Sequence, residues 1–364
     1  MSNKAGKKTK EFKSHYKPSK DFTFSRHKCN NCYYEILENK NHKTDKVILM
    51  LHGGSFKVKL IDMYRRLAEK YSNLLDGAMV VSVDYRTFPQ YEHPAQLLDA
   101  KDVYLEMIAC GIKPENIIVI GDSAGANLAV TITLWLRDNG YPLPAQIVCF
   151  SLWADMTSSG ESRVKNAYLD PFGGIAKRKS IEGNWDYLHR ISAYAQNLDR
   201  TNPYVSPVFA DFNDFPPTTL VCGGAEMDES DNDRVFENMK ASGVNVELYK
   251  YDGMFHCFQL MSFLPESRDA YKKVFNRQKK GSRLDIAKVL RDFPSLAEVY
   301  PQVDYKKKKV LLMTVHKAMY GIDPILSEKI SLHDITEKGK KTLILLDESD
   351  QAAIAMRNAI IEQA

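Results

Sequence analysis

The sequence predicts an α/β protein: a mostly parallel sheet covered by helices on both faces, interrupted by one long insertion and followed by a small appendage. Three observations lead there. Short runs that are mostly apolar, at 46–51, 79–84, 117–120 and 146–151, alternate with helical segments at 62–75, 95–109 and 123–137. Strands buried on both faces need continuous apolarity, whereas a sheet with one wet face would alternate apolar and polar residues. Glycines also follow several of these strands closely, at Gly53-Gly54, Gly121 and Gly223-Gly224, as tight strand-to-helix turns require.

Composition bounds the reading. The chain has 364 residues, 44% of them hydrophobic, which suits one large domain with an appendage and a sizeable core. A net charge of +4 is too mild to imply a nucleic acid or another polyanionic partner. No apolar run approaches the ~20 residues that cross a bilayer, and Met1 to Lys20 lacks the apolar core of a secretion signal, so a cytoplasmic protein without stable membrane association is expected. Six scattered cysteines suit reduced thiols better than a disulfide framework.

Residues 1–28 carry eight lysines and one arginine against Glu11 and Asp21, and read as a basic, disordered segment. The alternative is a lid, since Phe12, Tyr16, Phe22 and Phe24 could fold over a site. Cys29 and Cys32 form half of a zinc motif with no second pair at a usual spacing, and the strand-like Cys32 to Leu37 follows, so no metal is expected. The strand Lys46 to Leu51 runs into His52-Gly53-Gly54-Ser55-Phe56; a glycine pair there leaves backbone N–H groups open to hold an oxyanion. After the helix 62–75 and the strand Met79 to Asp84 comes Asp84-Tyr85-Arg86, and then a helix entered at Pro94-Ala95.

The strand Ile117 to Ile120 breaks at Gly121-Asp122-Ser123-Ala124-Gly125 and a helix follows. This G-x-S-x-G places Ser123 on a strained turn at the top of the sheet, where its hydroxyl can act as a nucleophile. The motif alone recurs by chance in loops, so its placement between strand and helix carries the weight. Ligands bind outside the carboxyl ends of parallel strands, and Gly53, Gly54 and Ser123 all fall there.

Residues 154–216 break the rhythm. Rich in Ser, Asn, Tyr, Gly and Pro, with a helix expected around Trp185 to Ala195, they read as a cap whose aromatics (Tyr168, Phe172, Trp185, Tyr187, Tyr194) line a pocket or form the cap's own core. The strand Thr218 to Cys222 then ends in Gly223-Gly224-Ala225-Glu226-Met227-Asp228, where Glu226 and Asp228 both qualify as the acid that orients a catalytic histidine. A helix at 231–242 and a strand at 246–251 lead to His256. Serine, acid and histidine therefore follow in the chain order of α/β-hydrolases.

These motifs, together with Asn202-Pro203-Tyr204-Val205-Ser206-Pro207 and His256-Cys257-Phe258, resemble the hormone-sensitive-lipase family of carboxylesterases over roughly residues 46–276. The resemblance implies an α/β-hydrolase fold with a cap, no cofactor or metal, and hydrolysis of short-chain acyl esters through a serine triad and an acyl-enzyme. It implies Ser123 as nucleophile, His256 as base, and the N–H groups of Gly53, Gly54 and Ala124 as the oxyanion hole. Two departures stand out. Ser55 occupies the third glycine of the usual H-G-G-G, with little harm expected, as the first two glycines are taken as the donors. Where the family often has D-x-L-x-D, this chain offers several carboxylates, and counting back from Gly243 favours Glu226 over Asp228. An amidase or arylformamidase on the same machinery is the nearest alternative, and a non-catalytic small-molecule binder a more distant one.

The hydrolase pattern is complete by Lys280, giving a domain of 29–280. Residues 281–364 read as an appendage with helices at Ser282 to Asp292 and Gln351 to Gln363 and strands at Val310 to Val315 and Thr342 to Leu346. His316, His333 and Lys306 to Lys309 suit surface positions there. The implied partner is a small-molecule ester, and a homo-oligomer is left open.

Overall fold

The computed structural model describes residues 14–172, 192–278, 310–314 and 343–347, and divides the chain into two compact units, Met1–Lys280 and Gly281–Ala364. The first is built on an eight-stranded sheet in the order β1-β2-β4-β3-β5-β6-β7-β8. Its strands are β1 (Phe22–Cys29), β2 (Cys32–Asn39), β3 (Val47–Leu51), β4 (Met79–Asp84), β5 (Ile117–Asp122), β6 (Gln146–Phe150), β7 (Thr218–Gly223) and β8 (Val246–Tyr251). From β4 to β8 all pairings are parallel, while β1 and β2 run antiparallel at one end.

The continuous apolar strands are explained by helices on both faces. Successive residues of a strand point to opposite sides. Ile48 and Met50 of β3, with Ile118 and Ile120 of β5, pack with Tyr64, Leu67, Ala68 and Tyr71 of α1 (Asp62–Leu74) and with Tyr271, Val274 and Phe275 of α6 (Pro265–Gln278). The intervening Leu49, Leu51, Ile117 and Val119 face α2 (Ala95–Ala109), α3 (Ala124–Asp138) and α5 (Glu229–Ala241). Each such side chain is almost wholly buried, and each contributes about 1.5–3 kcal/mol of transfer free energy. Helix α3 runs through the interior and is buried nearly all round, which matches its run of Ala, Val, Ile and Leu.

The basic segment 1–28 is corrected over residues 14–28. Ser14 and Ser19 donate to Asp62 and Glu69 on α1, Tyr16 donates to Glu69 (2.7 Å), and β1 pairs along its whole length with β2. The arginine of this stretch is compensated locally, because Arg26 meets both Glu35 and Asp84 at 2.6 Å. Tyr16 and Phe24 pack on each other and Tyr16 leans on the α1 face, so this stretch forms no lid over the strand ends; Phe12 lies outside the described residues. Cys29 and Cys32 flank the two-residue hairpin turn and pair in register, with both thiols buried and free.

Within the 154–216 excursion, a short helix α4 (Ser162–Lys165) and single 3₁₀ turns at Ala193–Ala195 and Pro207–Phe209 are present. The expected helix from Trp185 falls mostly outside the described residues. Asn127 of α3 fastens the excursion near its start and near its return, donating to Trp153 O (2.9 Å) and Val205 O (3.0 Å). In the second unit, β9 (Val310–Thr314) and β10 (Leu343–Asp347) pair antiparallel where two strands were expected, and the two expected helices, His316, His333 and Lys306 to Lys309 lie outside the described residues. Among the described residues no helix is long and apolar enough to cross a membrane.

Candidate active site

The nucleophile turn is built from backbone contacts too close for side chains. A β-carbon at Gly121 would sit 2.2 Å from Gly125 O, and one at Gly125 would sit 2.0 Å from Leu51 O, so both positions must be glycine for α3 to leave β5 across the end of β3. Ser123 between them adopts φ 53°, ψ −121°, a strained conformation held by the surrounding sheet. Its N–H is occupied by Phe150 O (2.9 Å).

The strained turn presents Ser123 Oγ 2.9 Å from His256 Nε2. On the far side of the ring, His256 Nδ1 lies 3.0 Å from Glu226 Oε2 and 3.4 Å from Asp228 Oδ2. The structure thus brings together Ser123, His256 and both candidate carboxylates, from loops after β5, β7 and β8. Glu226 is fully buried, and its other oxygen accepts the Gly223 N–H (3.0 Å). Asp228 occupies the N-cap position of α5 without making a side-chain cap, and pairs instead with Arg163 of α4 at 2.5 Å. Burial raises Glu226 above the usual carboxylate range, opposed by the hydrogen bond and charge of His256. For His256, burial would lower the pKa, but Cys257, Glu226 and Asp228 around the ring raise it well above its ordinary value. Two carboxylates therefore stabilise the imidazolium that would form when Ser123 gives up its proton.

The oxyanion-hole expectation needs one correction. The Gly53 N–H is occupied, donating to Tyr64 Oη (2.9 Å) and Asp122 Oδ1 (3.1 Å), and is no free donor. The N–H groups of Gly54, Ser55 and Ala124 have no protein partner among the described residues. Gly54 (φ 113°), Ser55 (φ 54°) and Phe56 (φ 59°) form a run of left-handed backbone that turns successive N–H groups toward one side. Phe56 anchors this loop, buried and stacked on Tyr194 at 4.4 Å. Ser55, at the third-glycine position, thus has an open N–H where Gly53 has none.

Sequence reasoning missed Tyr64 and Asp122. Tyr64 also donates to Asp122 Oδ2 (2.7 Å), and burial pushes Asp122 up to about 6. Asp122 was visible only as the variable position of the G-x-S-x-G motif, and Tyr64 only as an apolar position of an amphipathic helix. His52 is buried and stacked on Tyr85 at 4.2 Å, its Nδ1 bonded to Gly53 O, and burial lowers it to about 4. Of the excursion aromatics, Tyr194 packs against the oxyanion loop and Phe172 lies 5.7 Å from Phe255, the neighbour of His256; Tyr168 is exposed, and Trp185 and Tyr187 lie outside the described residues. No group of three metal-ligating side chains is found among the described residues.

A mostly parallel sheet that brings a serine, a histidine and a carboxylate together at its carboxyl ends is the arrangement of an α/β-hydrolase. The family model described as the alpha/beta hydrolase fold matches residues 48–260, more than half of the chain. An esterase of Acinetobacter venetianus is 30% identical over 226 residues, which cover 62% of this chain and 72% of that protein; an acetyl-hydrolase of Streptomyces hygroscopicus matches with the same identity and coverage. A crystal structure of an esterase from the bacterial hormone-sensitive lipase family superposes with a TM-score of 0.64 at 30% identity, covering 73% of this chain and 86% of the other. The chain belongs to the α/β-hydrolase family, among the carboxylic ester hydrolases of hormone-sensitive-lipase type.

Proposed function

We propose that the protein is a serine esterase acting on small, short-chain acyl esters through an acyl-enzyme. Ser123 Oγ attacks the ester carbonyl carbon while its proton passes to His256 Nε2, and Glu226 holds the other ring nitrogen as N–H donor and balances the imidazolium charge. The backbone N–H groups of Gly54, Ser55 and Ala124 receive the oxyanion of the tetrahedral intermediate. His256 then gives its proton to the departing alkoxide, and a water activated by the same nitrogen releases the acid. The observation that carries this reading is the ring of His256 lying 2.9 Å from Ser123 and 3.0 Å from Glu226 on opposite edges. Short acyl groups are supported by the relative named an acetyl-hydrolase.

The test is a p-nitrophenyl ester series on the purified chain and on Ser123→Ala. The wild type should show a higher kcat/KM on butyryl than on palmitoyl esters, and Ser123→Ala should lose up to about a million-fold in kcat without unfolding. Turnover retained by Ser123→Ala would remove the nucleophile from the scheme. A preference for palmitoyl esters would overturn the short-chain assignment alone.

A further inference from the structure

Ser151 directly follows β6, wholly buried, with its backbone at φ 48°. A left-handed conformation is costly for a residue with a β-carbon, and its persistence at a buried site points to what the side chain does. The Ser151 N–H donates to Val221 O (2.7 Å), which seats the residue beside the end of β7. Its hydroxyl oxygen accepts the N–H of Cys257, the residue after His256, at 2.9 Å. The same hydroxyl favours the ionised form of the Glu226 carboxylate. One buried hydroxyl therefore bonds the backbone adjoining the base and bears on the acid.

Resting on the proposed Ser123, His256 and Glu226 triad, we infer that Ser151 is a positioning residue whose hydroxyl holds the His256 loop in register with Glu226, so that the imidazole Nδ1–H meets Glu226 rather than Asp228. The competition is real, because Asp228 stands only 0.4 Å farther from Nδ1 than Glu226 does (3.4 against 3.0 Å). Charged and titratable groups facing Glu226 and His256 are each other, Asp228 with its partner Arg163, Cys222, Cys257 and Asp122. The Ser151 hydroxyl is neutral and accepts a directional bond from the Cys257 N–H, and so fixes where the His256 backbone lies among these groups. Losing the hydroxyl removes a group that favours ionised Glu226, which then binds a proton more tightly and accepts more strongly from the imidazolium. Both effects raise the pH at which the pair protonates.

The experiment compares Ser151→Gly and Ser151→Ala with the wild type on p-nitrophenyl butyrate across pH. Glycine adopts φ 48° without strain, so Ser151→Gly removes the hydroxyl while easing the backbone, and it decides the matter if Ser151→Ala does not fold. Loss of the bond that places the His256 loop should lower kcat by roughly 10- to 100-fold, with KM changed by less than about twofold. The acid limb of kcat/KM should move up, by on the order of one pH unit. In a Glu226→Gln background, Ser151→Gly should cost little more, since the two act as one unit. Wild-type kcat and an unmoved acid limb in Ser151→Gly would overturn the inference, as would losses that multiply in full with those of Glu226→Gln. Activity surviving in Ser123→Ala would instead overturn the triad itself. With Ser123→Ala inactive, an unaffected Ser151→Gly sinks the positioning role alone.

Discussion

Neutralising each candidate acid separately asks which carboxylate works with His256, and the two changes should fail in different ways. In Glu226→Gln the amide oxygen can still accept the Gly223 N–H that now reaches Oε1 at 3.0 Å, so the loop keeps its main tether. The side chain can no longer hold the charge that stabilises the imidazolium, and its NH₂ would favour the wrong tautomer of His256; kcat should fall on the order of 10⁴-fold. In Asp228→Asn the ion pair with Arg163 is lost, and the Arg163 side chain is only 14% exposed. Truncating one partner of a buried pair can cost ~3–5 kcal/mol. Arg163 also faces Asp231, Asp155 and Asp170, however, which keep it partly compensated, so about 1–3 kcal/mol of stability is the expected loss. Steady-state kinetics on p-nitrophenyl butyrate and urea unfolding of both variants read the two quantities. An inactive Asp228→Asn beside a near-normal Glu226→Gln would refute the assignment and leave the esterase reading standing.

Three further outcomes are expected. Gly125→Ala should not yield folded protein, because its β-carbon would press on Leu51 O at 2.0 Å and on His52 O at 2.6 Å, both backbone; a soluble variant melting near the wild type would contradict the contact. Tyr64→Phe takes a donor from Asp122, and with burial holding Asp122 up to about 6 its carboxylate is charged at pH 8 and largely neutral at pH 5. The variant should therefore lose ~1.5–3 kcal/mol in urea unfolding at pH 8 and less at pH 5, and equal losses at both would show that the charge is not involved. His52 is lowered to about 4 from 6.5, so the unfolded chain binds its proton first and the stability linked to a neutral His52 is complete above pH 6.5 and is lost as pH falls toward 4. The stability difference between wild type and His52→Gln should shrink over that window, and a constant difference would sink the linkage.

Much of the hydrolase core was legible because two-sided burial writes itself as uninterrupted apolar runs. Val47–Leu51, Met79–Asp84 and Gln146–Phe150 fall within a residue of where those runs place strands. The nucleophile turn was legible for a similar reason, as two glycines around a serine after such a run leave few other geometries. The N-terminal hairpin was not. Six consecutive residues of β1 are exposed, so the strand shows neither an apolar run nor an alternation, and its lysines read as a disordered basic segment. The signal that could have found it was Asn30-Asn31 between two eight-residue segments, the second rich in aromatic and aliphatic residues, since Asn tolerates the left-handed turn that Asn30 adopts at φ 46°. Glu226 and Asp228 both came within reach of His256, and what separates them is tertiary: Arg163, from a segment with no readable motif, occupies Asp228.

The misassigned oxyanion donor shows why a motif's residues and its atoms have to be argued separately. Gly53 is a glycine for a reason unrelated to donating to substrate, since a β-carbon there would lie 2.4 Å from Asp122 Oδ2 and 2.9 Å from Asp122 O. Its N–H is what the buried Asp122 carboxylate uses, together with Tyr64, to offset its own desolvation. The glycine-pair loop and the nucleophile turn are consequently one bonded unit, with Asp122 next to Ser123 on one side and Gly53 next to the donors on the other. Gly54 needs its freedom for φ 113°, where a β-carbon would meet Val58 at 2.6 Å. Ser55 sits at φ 54° in the left-handed region, and its backbone N–H has no protein partner among the described residues. A serine can therefore replace the third glycine and keep that N–H open, whereas replacing the first would push the loop off the carboxylate that anchors it.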